Sequence, residues 1–420
     1  MSRLKRILFM ASSILFFAII LSIYGAIEYY GWQVIKNVFT IANPKTLAWV
    51  YWGISISFFV LFMLYRPVLH RYLPKEVGTY FGVAFVILML SKLVAVLFLF
   101  PEDMVRLVKY ASAKFNGTPV AAGGLSRSEF LSKSALLAAS IPAGTLIYGA
   151  LVNAYKYQYH KVTVKFPNLP DAFNGFKIIQ LSDIHSGSFT KTEPIIEAIE
   201  HINKLNADVI FFTGDLVNNV ASEMDSYMHI FDKLKAKHGV ISVTGNHDYG
   251  DYVQWESKEE KVANFNQFMG VHKKMGWKLL MDEHHLIEKD GQHIAVIGIQ
   301  NWGGKGNFPK YGKLDKAYKG TEEIPFKILL SHDPSHWDAQ VTTEYKDIDI
   351  AFAGHTHGAQ FGVENKWLKW SPSQYMYKQW AGLYNEGKQY LYVNRGFGFL
   401  GYPGRVGILP EIAEITLVKG

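Results

Sequence analysis

Four long apolar runs in the first third of the chain constrain its fold more than any other feature. They cover residues 7–27, 47–65, 79–100 and 134–154. Each is close to the roughly 20 residues that an α-helix needs to cross the hydrocarbon core of a bilayer. Buried helices of a soluble core keep a polar stripe, whereas these runs are apolar on all sides. The sequence therefore predicts about four transmembrane helices within a membrane domain at residues 1–155.

The fourth run is the least regular, because it is rich in Ala and Gly and contains Pro142. It follows the sequence SRSEFLSK, which is similar to a degenerate twin-arginine export signal with Ser128 in place of one arginine. A retained span and an export segment both fit this run, and the sequence leaves the two alternatives open.

Charges around the spans do not fix the membrane orientation. Lysine and arginine number three in the N-terminal tail, then two, three and five in the successive loops. Basic loops tend to stay in the cytoplasm. A cytoplasmic third loop would place everything after Ala154 outside, whereas a cytoplasmic N-terminal tail would place it inside. We expect an extracytoplasmic C-terminal unit and keep the cytoplasmic orientation as the alternative.

Composition excludes several kinds of chemistry. The chain has no cysteine, which rules out disulfides, thiolate metal ligands and a cysteine nucleophile. A formal charge of +7 is modest for 420 residues and belongs partly to loops beside the membrane. We therefore expect no nucleic-acid partner.

From Lys156 onward, short apolar runs alternate with helical patterns, which is typical of an α/β domain. The predicted strands cover residues 176–183, 208–214, 239–245, 293–300, 326–332, 347–354, 389–394 and 412–418. Helical patterns at 193–205 and 224–235 separate the first three strands, as parallel crossovers require. The later strands are closer together, so we expect partly antiparallel pairing. The second domain is predicted at 156–420.

Polar motifs follow five of the predicted strands. They are Asp183-Ile-His185, Gly214-Asp215, Gly245-Asn246-His247-Asp248, Ser331-His332 and Gly354-His355-Thr356-His357. In open α/β sheets, ligands bind just outside the carboxyl ends of the strands. Residues two apart on an extended backbone project to one face, so Asp183 and His185 can hold one site, as can His355 and His357.

Seven side chains in these motifs can bind metal ions. They are Asp183, His185, Asp215, Asn246, His332, His355 and His357. Seven donors are too many for one ion, but they suit two cations that share a carboxylate. Nitrogen and oxygen donors without thiolate fit Mn, Fe or Zn better than Ca or Mg. The sequence therefore predicts two divalent metal ions, with His336 as an alternative ligand because it follows His332 by four residues.

The order D-x-H, G-D, G-N-H-D, H and G-H-x-H resembles the calcineurin-like metallophosphoesterase superfamily over about residues 162–417. The segments NLPDAFNGFKIIQLSDIH, GHTHGAQ and VNRGFG are similar to its branch of membrane-tethered or exported bacterial phosphoesterases of the cell envelope. The resemblance implies an αββα sandwich of mixed sheets with helices outside, following the transmembrane helices. It also implies an integral protein of the bacterial cytoplasmic membrane.

The resemblance assigns a role to each metal ligand. The first metal would be held by Asp183, His185 and His357. The second metal would be held by Asn246, His332 and His355. Asp215 would bridge the two ions, and His247 would be the catalytic imidazole that protonates the leaving oxygen.

The expected reaction is hydrolysis of a phosphoester or pyrophosphate by metal-bound hydroxide, because two dications lower the pKa of the water between them. Asp248, next to His247, is a candidate to orient it. In the metal-free site we expect Asp183 and Asp215 to repel each other and to hold protons. Arg395 is a candidate bidentate donor to a substrate phosphate, with a structural salt bridge as the equal alternative.

The membrane tether suggests a lipid or cell-envelope precursor as substrate. Aromatic residues crowd the segment 367–392, where they can form a wall of the active site or rest on the bilayer interface.

The alternative function is a non-catalytic membrane sensor or scaffold with a phosphoesterase-like ligand-binding domain, which would be expected to lack a metal ligand or His247. A transporter would need ionisable residues inside the spans, where Lys92 stands almost alone.

Overall fold

The computed structural model describes residues 3–39, 43–65, 68–69, 72–73, 75–116, 125–306 and 308–420. The chain divides into two compact units, Met1–Tyr148 and Gly149–Gly420. Each unit has its own kind of architecture, and the two are described separately.

The first unit consists of long apolar helices. Their bounds are α1 Arg3–Val38, α2 Pro44–Tyr65, α3 Lys75–Phe115 and α4 Leu125–Leu151. Each contains a segment that is long and apolar enough to cross a membrane, and many of the apolar side chains point outward. Helices of this kind satisfy their backbone hydrogen bonds internally, as a bilayer requires. All four predicted runs form such helices, including the fourth, in which Pro142 lies inside α4.

Helix α3 is longer than its apolar run. It continues past residue 100 to Phe115, with Pro101 inside it. Arg106, Lys109 and Lys114, which the sequence placed in a loop, therefore lie on this helix.

The second unit contains short strands separated by loops and small helices. The strands of the first large sheet are β1 Gln158–Phe166, β2 Phe176–Leu181, β3 Val209–Phe212, β4 Val240–Ser242, β5 Lys278–Leu279 and β14 Glu411–Lys419. Those of the second are β6 Glu283–Lys289, β7 Gln292–Gly298, β8 Lys327–Leu330, β9 Ile350–Ala353, β12 Gly382–Glu386 and β13 Gln389–Val393. A small hairpin pairs β10 Val363–Glu364 with β11 Lys369–Trp370. The helices are α5 Glu193–Lys204, α6 Met228–Phe231, α7 Lys258–Lys274, α8 Leu314–Tyr318 and α9 Thr342–Glu344.

Both large sheets are mixed. The first has the order β1-β14-β2-β3-β4-β5 and the second β12-β13-β9-β8-β7-β6. Strands β2 to β5 pair in parallel, as do β13, β9, β8 and β7. Antiparallel pairs join β14 to β2, β6 to β7 and β12 to β13, so the expected mixture is confirmed.

Three apolar layers hold this unit together. Between the sheets, Phe176 and Phe211 of the first pack with Ile328 and Phe352 of the second in one buried cluster. The outer face of the first sheet is covered by apolar side chains of α5 and α7, and that of the second by those of α8 and the turn that contains Trp337. The unit is an αββα sandwich, which confirms the predicted fold class.

Sequence reasoning missed β1 and β6, because their exposed faces carry polar and charged residues. It also missed the short strands β5 and β12 and the hairpin of β10 and β11. The helix predicted at 224–235 shrinks to the four residues of α6, and irregular turns complete the crossover. Ile230 and Phe231 are buried all the same, so apolar spacing there reflects packing rather than a long helix.

Candidate metal centre and active site

Five loops at the carboxyl ends of parallel strands carry the predicted site residues. The loops follow β2, β3, β4, β8 and β9. The parallel pairing within each sheet puts these ends at one edge of the sandwich. The side chains from both sheets consequently meet in one place.

The backbone is unusual at five of these residues. Asp183, His185, Asp215, His355 and His357 have φ angles of 52°, 49°, 60°, 70° and 50°. Non-glycine residues seldom adopt this left-handed region, and each instance costs on the order of 1–3 kcal/mol. The concentration of such residues in one place indicates that the fold holds these side chains in fixed positions.

Two motif glycines give the carboxylates room. A Cβ atom on Gly245 would lie 2.2 Å from Asp215 Oδ1, and one on Gly354 would lie 2.2 Å from Asp183 Oδ2. Any larger residue would collide with these carboxylates. The glycines therefore allow neighbouring loops to pass directly over the acidic side chains.

Asp183, His185 and His357 form the first cluster, in which the potential ligand atoms all lie within 4.8 Å of one another. His357 Nε2 is 3.2 Å from Asp183 Oδ1 and 3.0 Å from His185 Nε2. Two imidazole nitrogens at this distance need a proton or a cation between them. All three residues are buried.

Asp215, His332 and His355 form the second cluster, again with ligand atoms within 4.8 Å of one another. His332 Nε2 lies 3.1 Å from Asp215 Oδ2. The amide oxygen of Asn246 lies 2.8 Å from His355 Nδ1, which adds the fourth donor of this group. The seven predicted ligands thus lie together in two adjoining groups.

Asp215 is the point where the two clusters meet. Its Oδ2 atom is 3.1 Å from His332 Nε2 in the second cluster and 3.6 Å from His185 Nε2 in the first. Its Oδ1 atom accepts a hydrogen bond of 2.8 Å from the backbone N–H of His247. One carboxylate therefore reaches the donors of both groups, which is the position that a bridging ligand requires.

The electrostatics of the pocket favour bound cations. Burial tends to raise the pKa of Asp183 and Asp215, but the neighbouring imidazoles hold both carboxyls well below their usual range. The expectation that these aspartates hold protons is therefore wrong. Burial opposes protonation of His332, yet the Asp215 carboxylate raises the pKa of His332 to about 10. Burial lowers the pKa of His185 to about 3 and also lowers that of His355, so these imidazoles stay neutral and keep nitrogen lone pairs for a ligand. Ionised carboxylates beside neutral imidazoles fit divalent metal ions.

The His247 side chain is held at the edge of this pocket. Its Nδ1 atom lies 2.7 Å from the Asn218 carbonyl oxygen, which accepts hydrogen bonds only, so Nδ1 carries the proton. The ring packs against Tyr252 with centroids 4.5 Å apart and meets the His185 ring at 84°. Nε2 is consequently the nitrogen available for proton transfer.

Asp248 has a different role from the one suggested by its position beside His247. Its carboxylate accepts hydrogen bonds from the backbone N–H groups of Gly245, Asp215 and Leu216 at 2.7, 2.9 and 2.8 Å. It therefore fixes the Asp215 loop against the Gly245 loop, and the Asn218 carbonyl orients His247 instead.

Arg395 lies in the same strand-end region but already has charged partners. Its guanidinium group contacts Glu411 Oε2 at 2.6 Å and Glu364 at 2.5 and 2.7 Å, and only 4% of its side chain is exposed. These contacts correspond to the salt-bridge alternative. A substrate contact by Arg395 stays a prediction.

Several residues around the site carry no sequence motif and were missed. Arg405 is fully buried and lies 3.3 Å from His357 Nδ1, while also donating to the Arg395 carbonyl at 2.6 Å. Tyr377 places its hydroxyl 2.8 Å from His355 Nε2. Only the aromatic density of the segment 367–392 pointed towards this contact. His336, the alternative ligand, instead pairs with Ser331 and Gln340.

The fold and the two donor clusters define a metal-dependent hydrolase attached to a membrane unit. Residues 176–359 match the family described as "Calcineurin-like phosphoesterase". Residues 10–154 match the family described as "Probable Calcineurin-like phosphoesterase, transmembrane domain". The chain belongs to the calcineurin-like metallophosphoesterases that carry four transmembrane helices. It is therefore a membrane protein and a metal-dependent phosphoester hydrolase, whose substrate is phosphorylated.

Similar proteins occur in bacteria and animals. The uncharacterized metallophosphoesterase YkuE of Bacillus subtilis is 29% identical over 307 residues, which are 70% of this chain and 98% of that protein. The transmembrane protein with metallophosphoesterase domain of Danio rerio is 28% identical, over 68% of this chain and 63% of that protein. An uncharacterized metallophosphoesterase of Helicobacter pylori is 27% identical, over 58% of this chain and 60% of that protein. The chain thus spans less than two thirds of the last two relatives.

Proposed function

We propose that the protein hydrolyses an amphiphilic phosphoester or pyrophosphate at a site with two divalent metal ions, of Mn, Fe or Zn. Residues 1–155 would form the membrane anchor and residues 156–420 the catalytic domain. The observation that carries the dinuclear proposal is the position of Asp215, which lies within 3.6 Å of imidazoles from both donor groups.

The proposed roles follow the two clusters. Asp183, His185 and His357 would hold one ion, and Asn246, His332 and His355 the other, with Asp215 shared. Ions bound there would polarise the phosphate and supply a hydroxide near neutral pH. His247 would give a proton from Nε2 to the leaving oxygen while the Asn218 carbonyl keeps the ring in position.

The hairpin formed by β10 and β11 supports an amphiphilic substrate. At its tip, Trp367 is 83% exposed and Leu368 is 52% exposed, while Lys366 lies 4.6 Å from the Trp367 ring centroid. Exposed aromatic, aliphatic and basic side chains together are typical of a surface that enters a membrane interface. Tyr375 and Met376 extend this exposed surface towards the site.

The hairpin is joined directly to the catalytic loops. Ser371, one residue after β11, donates a hydrogen bond of 2.7 Å to the Gly358 carbonyl, and Tyr377 contacts His355. Residues 152–157 link the last transmembrane helix to β1, so a short segment tethers the catalytic domain to the membrane anchor. A phosphorylated lipid or envelope precursor would therefore meet the hairpin and the metal centre together.

The membrane in question would be the bacterial cytoplasmic membrane, with the catalytic domain outside and the cytoplasmic orientation as the alternative. The similar proteins of Bacillus subtilis and Helicobacter pylori support a bacterial setting.

Because the chain has no cysteine, Lys388→Cys would add a single thiol on the exposed turn between β12 and β13. Labelling of intact cells by a membrane-impermeant maleimide would support the outside orientation, and labelling only after lysis would contradict it.

The substrate class can be tested with the full-length protein in phospholipid nanodiscs. We expect two metal ions per chain and hydrolysis of both a chromogenic phosphoester and a long-chain phospholipid-like phosphoester. The double variant Trp367→Ser/Leu368→Ser should lose activity on the long-chain substrate only, and Lys388→Ser, on a turn outside the hairpin, should change neither. Equal loss on both substrates, or no loss on either, would remove the hairpin from the proposal. A metal content of one ion would contradict the dinuclear site.

A further inference from the structure

The first unit contains a charged pair inside its apolar helices. Glu28 of α1 is 1% exposed, and Lys92 of α3 places its Nζ atom 2.6 and 2.7 Å from the two carboxylate oxygens. Ionisable residues in transmembrane segments are rare and usually serve a function. Glu28 escaped the sequence analysis because it lies one residue beyond the first apolar run.

Polar side chains of α2 complete the surroundings of this pair. Ser55 and Tyr51 donate hydrogen bonds to Glu28 Oε2 at 2.7 and 3.0 Å. A Cβ atom on Gly31 would lie 2.5 Å from the Tyr51 hydroxyl, so a larger residue here would displace the Tyr51 side chain from its present position. The Glu28–Lys92 pair is therefore neutral overall and has well-formed internal contacts.

A cavity of about 400 Å³ lies beside the charged pair. Its walls come from all four helices and are mostly apolar, with Val34, Phe85, Ala95 and Ala139 among the lining residues. This volume falls in the range of sites that bind small molecules. A structural ion pair alone would need no such space, so the cavity is a separate observation.

One polar atom of the cavity wall has no partner. The hydroxyl of Ser91 is buried and forms no hydrogen bond with any residue that the structure describes. Buried hydroxyl groups normally have a partner, and an unsatisfied one is a candidate contact for a ligand. Ser91 thus offers a hydrogen-bonding position next to an apolar space.

From these features we infer that the membrane unit binds one amphiphile of the bilayer, with a long apolar chain and an uncharged hydroxyl or carbonyl head group. The apolar walls accept the chain, and Ser91 accepts or donates the hydrogen bond to the head. An anionic head would have to draw Lys92 away from Glu28 and leave a buried carboxylate unpaired. The inference concerns the first unit alone and does not depend on the proposed substrate.

The site can be tested by photolabelling the full-length protein in phosphatidylcholine nanodiscs. The probe is hexadecanol with a diazirine in its chain, and the matched control is the same diazirine-bearing hexadecane without the hydroxyl. We expect saturable labelling of α3 and α4 by the alcohol, competed by unlabelled hexadecanol. The hydrocarbon should label lipid-facing residues without saturation.

Two variants separate the cavity from the surface. Ala139→Phe fills the cavity and should lower alcohol labelling by about tenfold, the change that corresponds to about 1.4 kcal/mol. Val86→Phe adds the same ring on the exposed face of α3 and should leave labelling unchanged. Monodisperse elution and an unchanged thermal midpoint would show that each variant is folded.

Ser91→Ala provides a milder test should Ala139→Phe fail to fold. It removes one hydroxyl, and alcohol labelling should fall to the level seen with the hydrocarbon. Equal, unsaturable labelling by both probes in the unmodified protein would overturn the site. Competition by hexadecyl phosphate as strong as that by hexadecanol would overturn the assignment of an uncharged head group.

Discussion

Two buried polar clusters lie at the same edge of the sandwich, and they differ in how their charges are matched. In the cluster around Arg395, the guanidinium contacts Glu411 and Glu364, and Tyr392 donates to Glu411 at 2.6 Å. In the metal centre, by contrast, two imidazole nitrogens lie 3.0 Å apart.

This difference distinguishes a cluster that stabilises the fold from one that can bind metal ions. A buried cluster whose donors and acceptors match one another needs nothing further, whereas imidazole nitrogens that face each other need a proton or a cation between them. Both clusters contain residues predicted to act on substrate or metal. Of the two, the metal centre is the one in which imidazole nitrogens face each other without matched partners. The following predictions test this contrast.

The largest effect is expected from Asp215→Asn. Replacement of the shared carboxylate should abolish detectable hydrolysis, a loss beyond the about 10²- to 10⁴-fold that a general acid contributes. Metal analysis should show fewer ions per chain. The control is Asp349→Asn, a half-buried carboxylate that accepts hydrogen bonds from the Lys327 backbone N–H and the Asn168 amide away from the centre, and it should leave activity intact. Full metal content in the Asp215 variant would contradict the bridging role.

His247→Gln should have the next largest effect, a decrease in kcat of about 10²- to 10⁴-fold with metal content unchanged. Because the proposed role is to protonate the leaving oxygen, the decrease should be large for an alkyl phosphoester and small for a nitrophenyl phosphoester, whose leaving group needs no proton. The measurement is a comparison of kcat for the two substrates. Equal decreases would rule out the acid role.

Arg395→Met should affect stability rather than chemistry. Removing one partner of a buried ion pair should lower the free energy of unfolding by about 3–5 kcal/mol, while the folded fraction keeps its metal and its kcat. Denaturant unfolding and metal analysis would measure both. An unchanged stability together with a raised KM would instead support the substrate contact predicted from the sequence.

His272 provides the smallest and most specific test. It is fully buried without a carboxylate partner, with Nδ1 3.0 Å from Ser242 Oγ, and burial lowers its pKa from 6.5 to about 3. Below pH 6.5, His272 is protonated in the unfolded chain but stays neutral in the folded chain. Stability should therefore fall, by at most about 1.4 kcal/mol per pH unit from this residue, between pH 6.5 and 3.

His272→Asn should flatten this part of the stability curve, whereas His229→Asn at an exposed position should not. Thermal unfolding between pH 4 and 7 would record the difference. Parallel curves for His272→Asn and the unmodified protein would show that burial without a charged neighbour does not suppress protonation here, in contrast to His332 beside Asp215.

The sequence predicted the class of the fold and the placement of the site residues at the ends of strands. Both could be predicted because motif spacing and the apolar pattern of a strand are local properties of the sequence. It could not predict contacts made across the two sheets. The meeting of Asp215 with both His185 and His332 depends on how the sheets pack. Arg405 has no recognisable motif, and the real partner of Asp248 is the backbone.

Edge strands such as β6 were missed for a similar reason, since their polar faces hide the alternation on which the prediction depends. The pair Glu28–Lys92 was missed because a run of apolar letters ends before Glu28, while the helix itself continues to Val38. A charged residue at the end of an apolar run can therefore still be buried between helices.

Gly245 and Gly354 give the motif pattern a second meaning. A methyl group at either residue would occupy space now filled by an acidic oxygen. These glycines are therefore needed because they lack a side chain, as well as for their flexible backbone. An engineer who keeps every metal ligand but changes Gly245→Ala would retain the donors and lose their arrangement. The lack of a side chain at Gly245 and Gly354 is, in this protein, as necessary to the active site as the carboxylates that use the space.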